Sequence, residues 1–294
     1  MSAIFDELEK IDAQEGIAAP PWPDAAASGL AVNFPANLPA EVLSDFYDLR
    51  EYIRIAGQRS QMRVLSITSS LSGEGASTIA TALAFLLAAN VSTAAAAGAE
   101  AGADSVAPET AELDARLGGA GGRETDSMFQ AGFTDYIQKK AAEALIQSIR
   151  EGGVLLVDAN LHHPGIHSSF GLEAGEGLAE IIEQGRDWRQ VIRCMPQNDL
   201  HIITAGTPQG NPADVVGSER LAELVASWRE SFRYVILDTP AVLNYVDALA
   251  LSALSDGVIL VVRAGQTRWE VAQNAKRKLS VAQANLLGVA LNRQ

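Results

Sequence analysis

Cysteine is almost absent from this sequence, whose 294 residues include only Cys194. A single thiol cannot close an intrachain disulfide, so a disulfide-stapled secreted scaffold is excluded. Positive charge is also scarce, because 22 Lys and Arg face 36 Asp and Glu and leave a net charge of −14. Non-specific nucleic-acid binding needs a basic surface, and nucleic acid is therefore not an expected partner.

The sequence also lacks targeting and membrane signals. Its acidic first residues show neither the basic start nor the apolar run of a signal peptide. The most apolar stretch, residues 79–97, consists largely of alanine, contains Asn90, Ser92 and Thr93, and has no flanking basic anchors. We expect a helix buried on a sheet rather than a membrane span, in a cytoplasmic protein.

Two segments stand apart from the main domain, which we place at residues 40–294. Residues 1–39 combine a short amphipathic pattern with a proline-rich linker, and the pattern sets four apolar residues on one helical face: Ile4, Phe5, Leu8 and Ile11. Docking of this short helix on its own domain and docking on a partner both stay open. Residues 90–134, rich in Ala, Gly, Ser and acids, predict a flexible insertion.

Elsewhere apolar strands alternate with helices, the pattern of a parallel sheet covered on both faces. The expected fold is therefore a three-layer α/β/α domain built on a parallel sheet. Strands are predicted at 62–68, 153–159, 200–205, 233–239, 257–263 and 286–292. Helices are predicted at 40–57, 77–89, 136–151, 176–185, 218–231, 246–254 and 268–283.

The first predicted strand runs into SSLSGEGAST and then into a helix, which is the context of a P-loop. Gly73 and Gly75 permit the tight turn, and inward-pointing amides with the helix start form an anion site. Ser77 or Thr78 supplies a hydroxyl for Mg²⁺. The expected nucleotide-binding residues are Gly73, Glu74, Gly75, Ala76, Ser77, Thr78 and Asn292.

The lysine that normally precedes the Ser/Thr of this loop is replaced by Ala76. That lysine places a positive charge where phosphoryl transfer develops negative charge. Loss of such a partner costs about 2.7–4 kcal/mol of transition-state stabilisation. The pattern thus predicts a P-loop fold without efficient phosphoryl transfer.

Two aspartates, Asp158 and Asp238, end predicted strands. Ligands of open parallel sheets bind beyond the carboxyl ends of strands, where a carboxylate can hold Mg²⁺ or orient a nucleophile. For either residue alone, a helix N-cap is the alternative. Together with Ser77 they form the predicted magnesium and catalytic set.

These motifs resemble the bacterial tyrosine kinases of capsule and exopolysaccharide synthesis, the BY-kinases. The resemblance covers about residues 40–292 and rests on five stretches: ITSSLSGEGAST, VLLVDANLHHPGIHSSFGL, GLAEIIEQG, ITAGTPQGNPADVV and YVILDTPAVLNYVDALALSALSDGVILVVRAGQT. It implies that Ser77 and Asp238 support Mg²⁺ beside ATP or ADP. It also implies that Asp158 acts as a base toward a tyrosine hydroxyl and that Asn292 reads adenine.

The departures from the family pattern concern charge and assembly. Besides Ala76, the second aspartate of the DxD-type motif is Asn160, and the basic residue after it is His162. The tyrosine-rich tail is missing. Of the oligomerisation motif only Arg50 matches, with Ser44 and Tyr47 at its other positions, so homo-oligomer formation stays open.

We therefore expect a pseudokinase-like scaffold or regulator of exopolysaccharide synthesis that binds nucleotide weakly. Its implied partner is the cytoplasmic part of an inner-membrane polysaccharide co-polymerase, which would recruit it to the membrane face. One alternative is an active tyrosine kinase or ATPase with a relocated cation, drawn from Arg263, Arg268, Lys276 or Arg277. A partitioning-type positioning ATPase is the other.

The remaining features carry weaker expectations. His162, His163 and His167 match no zinc spacing and predict exposed loop histidines rather than a metal site. Three tryptophans, Trp188, Trp228 and Trp269, predict packing residues. The KRK run at 276–278 predicts a solvated face, with an acidic partner or an anionic membrane surface as alternatives.

Overall fold

The computed structural model describes residues 40–99, 153–195 and 199–293. Its strands are β1 (Val64–Ser69), β2 (Val154–Asp158), β3 (Arg193–Met195), β4 (Leu200–Ile203), β5 (Tyr234–Asp238), β6 (Gly257–Arg263) and β7 (Leu286–Asn292). They form one sheet in the order β3-β4-β2-β5-β1-β6-β7. The pair β3–β4 is antiparallel, and all other neighbours are parallel.

Helices cover both faces of this sheet. They are α1 (Ala40–Ser60), α2 (Ala76–Ala99), α3 (Ile166–Ser169), α4 (Leu178–Glu183), α5 (Trp188–Val191), α6 (Pro212–Val216), α7 (Glu219–Ser231), α8 (Asp247–Leu254) and α9 (Trp269–Val281). Because side chains alternate along a strand, β2 sends Leu155 into the core beneath α7 and Leu156 into the core beneath α2. The predicted three-layer α/β/α fold is confirmed.

The structure changes two predicted boundaries and adds elements that the sequence pattern missed. Helix α2 continues to Ala99, so a flexible insertion beginning at residue 90 is wrong for its first ten positions, where alanine favours helix. The short edge strand β3 was not predicted, because three residues carry little periodic signal. The predicted helix at 136–151, most of the insertion and the N-terminal segment lie outside the described residues.

The tryptophan prediction holds for two of three side chains. Trp188 and Trp228 are buried in the core beneath α7. Trp269 is 72% exposed, because it is the first residue of α9 and takes no part in the contact of that helix with the sheet. Within the described ranges, no helix combines the length and apolar character needed to cross a membrane.

Candidate nucleotide site

The loop between β1 and α2 has the backbone of an anion-binding turn. Gly73 and Gly75 adopt φ angles of +85° and +93°, a region that side chains disfavour. Helix α2 begins at Ala76, and the Ile79 N–H donates its helical hydrogen bond to the Gly75 carbonyl at 3.0 Å. The loop therefore leads directly into a helix N-terminus, where free N–H groups favour an anion. The predicted phosphate loop has the expected strand–loop–helix form.

Glu74 holds this loop in place through three hydrogen bonds. Its buried carboxylate accepts a hydrogen bond from the Leu71 N–H at 2.9 Å and another from the Thr267 hydroxyl. Its carbonyl oxygen accepts one from the Asn292 side-chain amide at 2.9 Å. Thr267 precedes α9 and Asn292 ends β7, so two distant parts of the chain hold the loop in place. The sequence signal for this role was only the position of Glu74 between two glycines.

Asn292 thus contacts the phosphate loop. The resemblance implied that this side chain reads adenine, and the structure places its amide over Gly75. A Cβ atom at Gly75 would collide with the Asn292 Nδ2 atom. Gly75 is therefore required for the close approach of Asn292 as well as for the positive φ.

The two predicted aspartates lie side by side at the carboxyl edge of the sheet. Asp158 and Asp238 are direct partners in the parallel register of β2 and β5, and both are fully buried. The structure thus places two of the three residues predicted for the magnesium site side by side, and the third, Ser77, lies near Asp238. The surroundings of the two aspartates nevertheless differ.

Asp158 is saturated with backbone hydrogen bonds. One carboxylate oxygen accepts from the Asn160 N–H at 3.3 Å, and the other accepts from the Gly165 and Ile166 N–H groups at 3.1 Å each. Burial nevertheless raises the pKa of Asp158 to about 6, and these N–H groups oppose that rise. In this geometry Asp158 anchors the loop that follows β2. This role is closer to the predicted helix-capping alternative than to that of an exposed catalytic base.

Asp238 has no such support. Neither of its carboxylate oxygens has a hydrogen-bond partner among the described residues. Burial, followed by the nearby charge of Asp158, raises the pKa of Asp238 well above its usual range. The Ser77 hydroxyl lies near enough to oppose that rise, but its geometry falls short of a hydrogen bond. A buried, unpartnered carboxylate beside a serine hydroxyl suits a cation such as Mg²⁺.

Ala76 occupies the first position of α2 and is buried. Its methyl group provides no positive charge, so the cation that normally reaches the terminal phosphates must come from elsewhere or be missing. Of the alternative cations, Arg263 ends β6, next to β1, and exposed Arg268 follows Thr267. Lys276 and Arg277 lie in the second half of α9, about 10 Å along the helix from its start. Position along the chain therefore favours the two arginines.

A histidine and tyrosine cluster borders the site and was missed by sequence reasoning. The His162 ring stacks on Tyr245 with centroids 3.8 Å apart, and its Nε2 lies 2.6 Å from an Asp247 carboxylate oxygen. His163 Nε2 lies 3.0 Å from the Tyr245 hydroxyl. His162 is therefore half-buried and paired rather than a free loop side chain. The two loops are about 80 residues apart in the sequence, so no local sequence pattern could have shown this pairing.

Known proteins with similar sequences carry kinase names, although no family model matches the chain. It is 34% identical over 139 residues to tyrosine-protein kinase YwqD of Bacillus subtilis, a match covering 47% of this chain and 59% of the relative. The chain is thus similar in sequence to proteins named as bacterial tyrosine kinases. This similarity is consistent with the phosphate loop and the paired aspartates described above.

Two further similarities extend this comparison. The succinoglycan biosynthesis transport protein ExoP of Rhizobium meliloti is 29% identical over 144 residues, which cover 47% of this chain and 18% of ExoP. The kinase domain of the Escherichia coli tyrosine kinase ETK shares the fold, with a TM-score of 0.62 at 20% identity, over 99% of this chain and 86% of that domain. The chain thus spans less than two thirds of the length of these curated relatives.

Proposed function

We propose that this protein is a BY-kinase-like regulatory or scaffold component of bacterial exopolysaccharide production in which nucleotide binding and phosphoryl transfer are impaired. The observation that carries this proposal is Ala76, a buried methyl group in an otherwise braced phosphate loop. The loop, Ser77 and Asp238 remain suited to phosphate and Mg²⁺, but the lysine charge is missing. What is retained is a binding surface, and what is lost is transition-state stabilisation.

Several residues fit Mg²⁺ and ATP or ADP without supplying full catalysis. Backbone N–H groups around Gly73 and Gly75 would hold phosphate oxygens, while Ser77 and Asp238 would hold the metal. Bound Mg²⁺ would neutralise charge that develops on the transferred phosphate. Without the lysine we expect weak nucleotide binding and a rate reduced by roughly 10²–10³.

The proposed partner is the cytoplasmic part of an inner-membrane polysaccharide co-polymerase, which would bring the chain to the membrane face. The relative named as a biosynthesis transport protein supports this choice. Assembly of several copies through α1 is a further proposal. On that helix the Arg50 guanidinium lies 4.8 Å from the ring centre of exposed Tyr47, so the degraded motif presents an aromatic surface.

Turnover of Mg-ATP tests the proposal. Wild-type protein and the Asp238→Asn variant are incubated with Mg-ATP, with and without a tyrosine-containing acceptor, and ADP and phosphotyrosine are measured. We expect no difference between the two proteins above background. Steady ADP release or phosphotyrosine that disappears in Asp238→Asn would overturn the loss of catalysis.

An active kinase or ATPase with a relocated cation is the second candidate. The position of Arg263 favours it, because β6 pairs with β1 as far as Val261 and Ser69, two residues before Arg263. If Arg263 or Arg268 replaces the lysine, Arg263→Ala or Arg268→Ala abolishes turnover while Lys276→Ala does not. A partitioning-type ATPase instead requires an ATP-dependent dimer, which light scattering detects.

A further inference from the structure

The final helix and strand carry charge opposite to that of the rest of the chain. Residues 257–294 contain six Lys and Arg and a single acidic residue, Glu270, within a chain whose net charge is −14. Five of the basic side chains have no ion-pair partner among the residues that the structure describes. They are Arg268, Lys276, Arg277, Lys278 and Arg293. This corner of the domain is therefore positively charged and unneutralised.

Exposed apolar side chains lie on the same two elements. Trp269 and Val281 on α9 are 72% and 81% exposed, and Val289 and Leu291 on β7 are 51% and 65% exposed. Val289 and Leu291 pair in parallel register with Leu260 and Val262 of β6, so they lie on the sheet face that α9 covers.

Among the strands that the structure describes, β7 is the last in the sheet and has a neighbour on one side only. We call the surface formed by Trp269, Lys276, Arg277, Val281, Val289 and Leu291 the α9–β7 face. An uncovered apolar surface of this kind beside a strand edge marks a contact site.

A second copy of the same face is a poor occupant. Pairing two copies edge to edge would bring the basic side chains of both α9 helices together, and like charges oppose association. The occupant must instead be acidic and partly apolar.

Residues 1–15 of this chain have that composition. They contain five acidic residues and one lysine, together with the four apolar residues Ile4, Phe5, Leu8 and Ile11. Their charge is thus opposite to that of the α9–β7 face, and their apolar residues match its exposed side chains. The spacing of those four residues would present them together if the segment became helical on docking.

Chain length permits this contact. The 24 residues from 16 to 39 connect the acidic segment to α1 and reach at most about 80 Å when extended. A domain of this size has a radius of gyration of about 16–17 Å, so every part of its surface is within reach. A covalent tether of this length would hold the two segments at an effective concentration of about 1 mM, at which a weak contact is substantially populated.

We propose that residues 1–15 dock on the α9–β7 face of their own domain. The acidic side chains meet Lys276 and Arg277, and the apolar ones cover Trp269 and Leu291. Two residues that hold the phosphate loop border this face, because Thr267 lies two residues before the start of α9 and Asn292 ends β7. The proposal does not depend on whether the chain hydrolyses ATP.

Zero-length carbodiimide cross-linking of the full chain tests the docking. This reagent joins a carboxylate to a lysine only when they are in contact. The chain has five lysines, of which Lys276 and Lys278 lie on α9 and Lys139 and Lys140 serve as an internal control. We expect peptide mapping to find residues 1–15 joined to Lys276 or Lys278 and not to the control pair. In a mixture of isotope-labelled and unlabelled protein, both linked peptides should come from the same molecule.

Charge reversal separates a specific contact from chance proximity. Reversing Asp6, Glu7 and Glu9 to Lys should abolish the cross-link. Adding Lys276→Glu, Arg277→Glu and Lys278→Glu to that variant should restore it, with the lysines now on residues 1–15. Equal linking to Lys139 and Lys140, links only between molecules, or no link at all would overturn the proposal. A different outcome would assign the face to lipid instead. In that case the wild type shows no intramolecular link but binds phosphatidylglycerol vesicles, and the α9 charge reversal abolishes this binding.

Discussion

Asp158 and Asp238 end neighbouring strands, face each other in register and are equally buried, yet only one of them has partners. Asp158 accepts three backbone N–H groups from the loop that follows it. Asp238 accepts none, although it lies next to the phosphate loop. The same residue type at the same strand position therefore has two different hydrogen-bonding environments.

We infer from this difference that one carboxylate stabilises the loop after it and that the other is the candidate for ligand binding. A buried carboxylate that accepts several N–H groups stabilises the backbone conformation around it. A buried carboxylate without partners destabilises the fold and is retained where a ligand pairs with it. In this protein Asp238 is the better candidate to face a cation, and Asp158 positions the loop that carries Asn160 and His162.

The largest expected effect comes from comparing two single substitutions, each of which replaces one of the carboxylates by its amide. Asp158→Asn replaces an accepting oxygen by an NH₂ group and should lower the free energy of unfolding by about 2–4 kcal/mol. Asp238→Asn removes an unpaired buried charge and should leave that free energy unchanged or raise it by about 1 kcal/mol. Urea unfolding of both variants measures the difference. Equal destabilisation by the two substitutions would contradict the proposed difference between Asp158 and Asp238.

Stability should also depend on pH through this pair. Both folded-state pKa values are raised, that of Asp158 to about 6, so the folded state binds protons more readily than the unfolded chain. The stabilisation by protonation is complete below about pH 4 and is lost as pH rises through about 6. We expect the free energy of unfolding to fall by up to about 3 kcal/mol between pH 4.5 and pH 7.5. Asp238→Asn should flatten this profile, and parallel profiles for the two proteins would contradict the coupling.

A smaller effect should separate the phosphate loop from the carboxylate pair. Gly75→Ala places a Cβ against the Asn292 amide at a φ of +93° and should destabilise the protein by about 2 kcal/mol. Combining it with Asn292→Ala removes the collision but not the backbone strain at residue 75. The loss of stability in the double variant should therefore be smaller than the sum of the losses in the two single variants. Thermal unfolding of the three variants measures this coupling. Strict additivity would mean that Asn292 does not press on Gly75.

The sequence predicted the sheet, the phosphate loop and the position of Asp158 and Asp238 at strand ends, because apolar periodicity and glycine spacing are local signals. It did not predict what each carboxylate contacts. The N–H groups that hold Asp158 belong to residues 160, 165 and 166, and their direction depends on the folded loop. Burial and strand position are alike for both residues, so no local pattern distinguishes them.

Long-range contacts account for the other surprises. Asn292 reaches Glu74 across 218 positions, and His162 reaches Asp247 across 85, so neither contact follows from nearby sequence. Trp269 was expected to pack, since aromatic residues usually do, but it begins its helix on the solvent side. The extra turns of α2 follow from alanine propensity, which a low-complexity composition obscured.

Restoring the lysine tests the central claim most directly. Mg-ATP is titrated into the wild type, Ala76→Lys and the neutral control Ala76→Gln, and heat or fluorescence reports binding. We predict weak or unmeasurable binding for the wild type and the control, and binding at least about tenfold tighter for Ala76→Lys. Micromolar affinity with steady turnover in the wild type, unchanged by the added lysine, would contradict this account of the site.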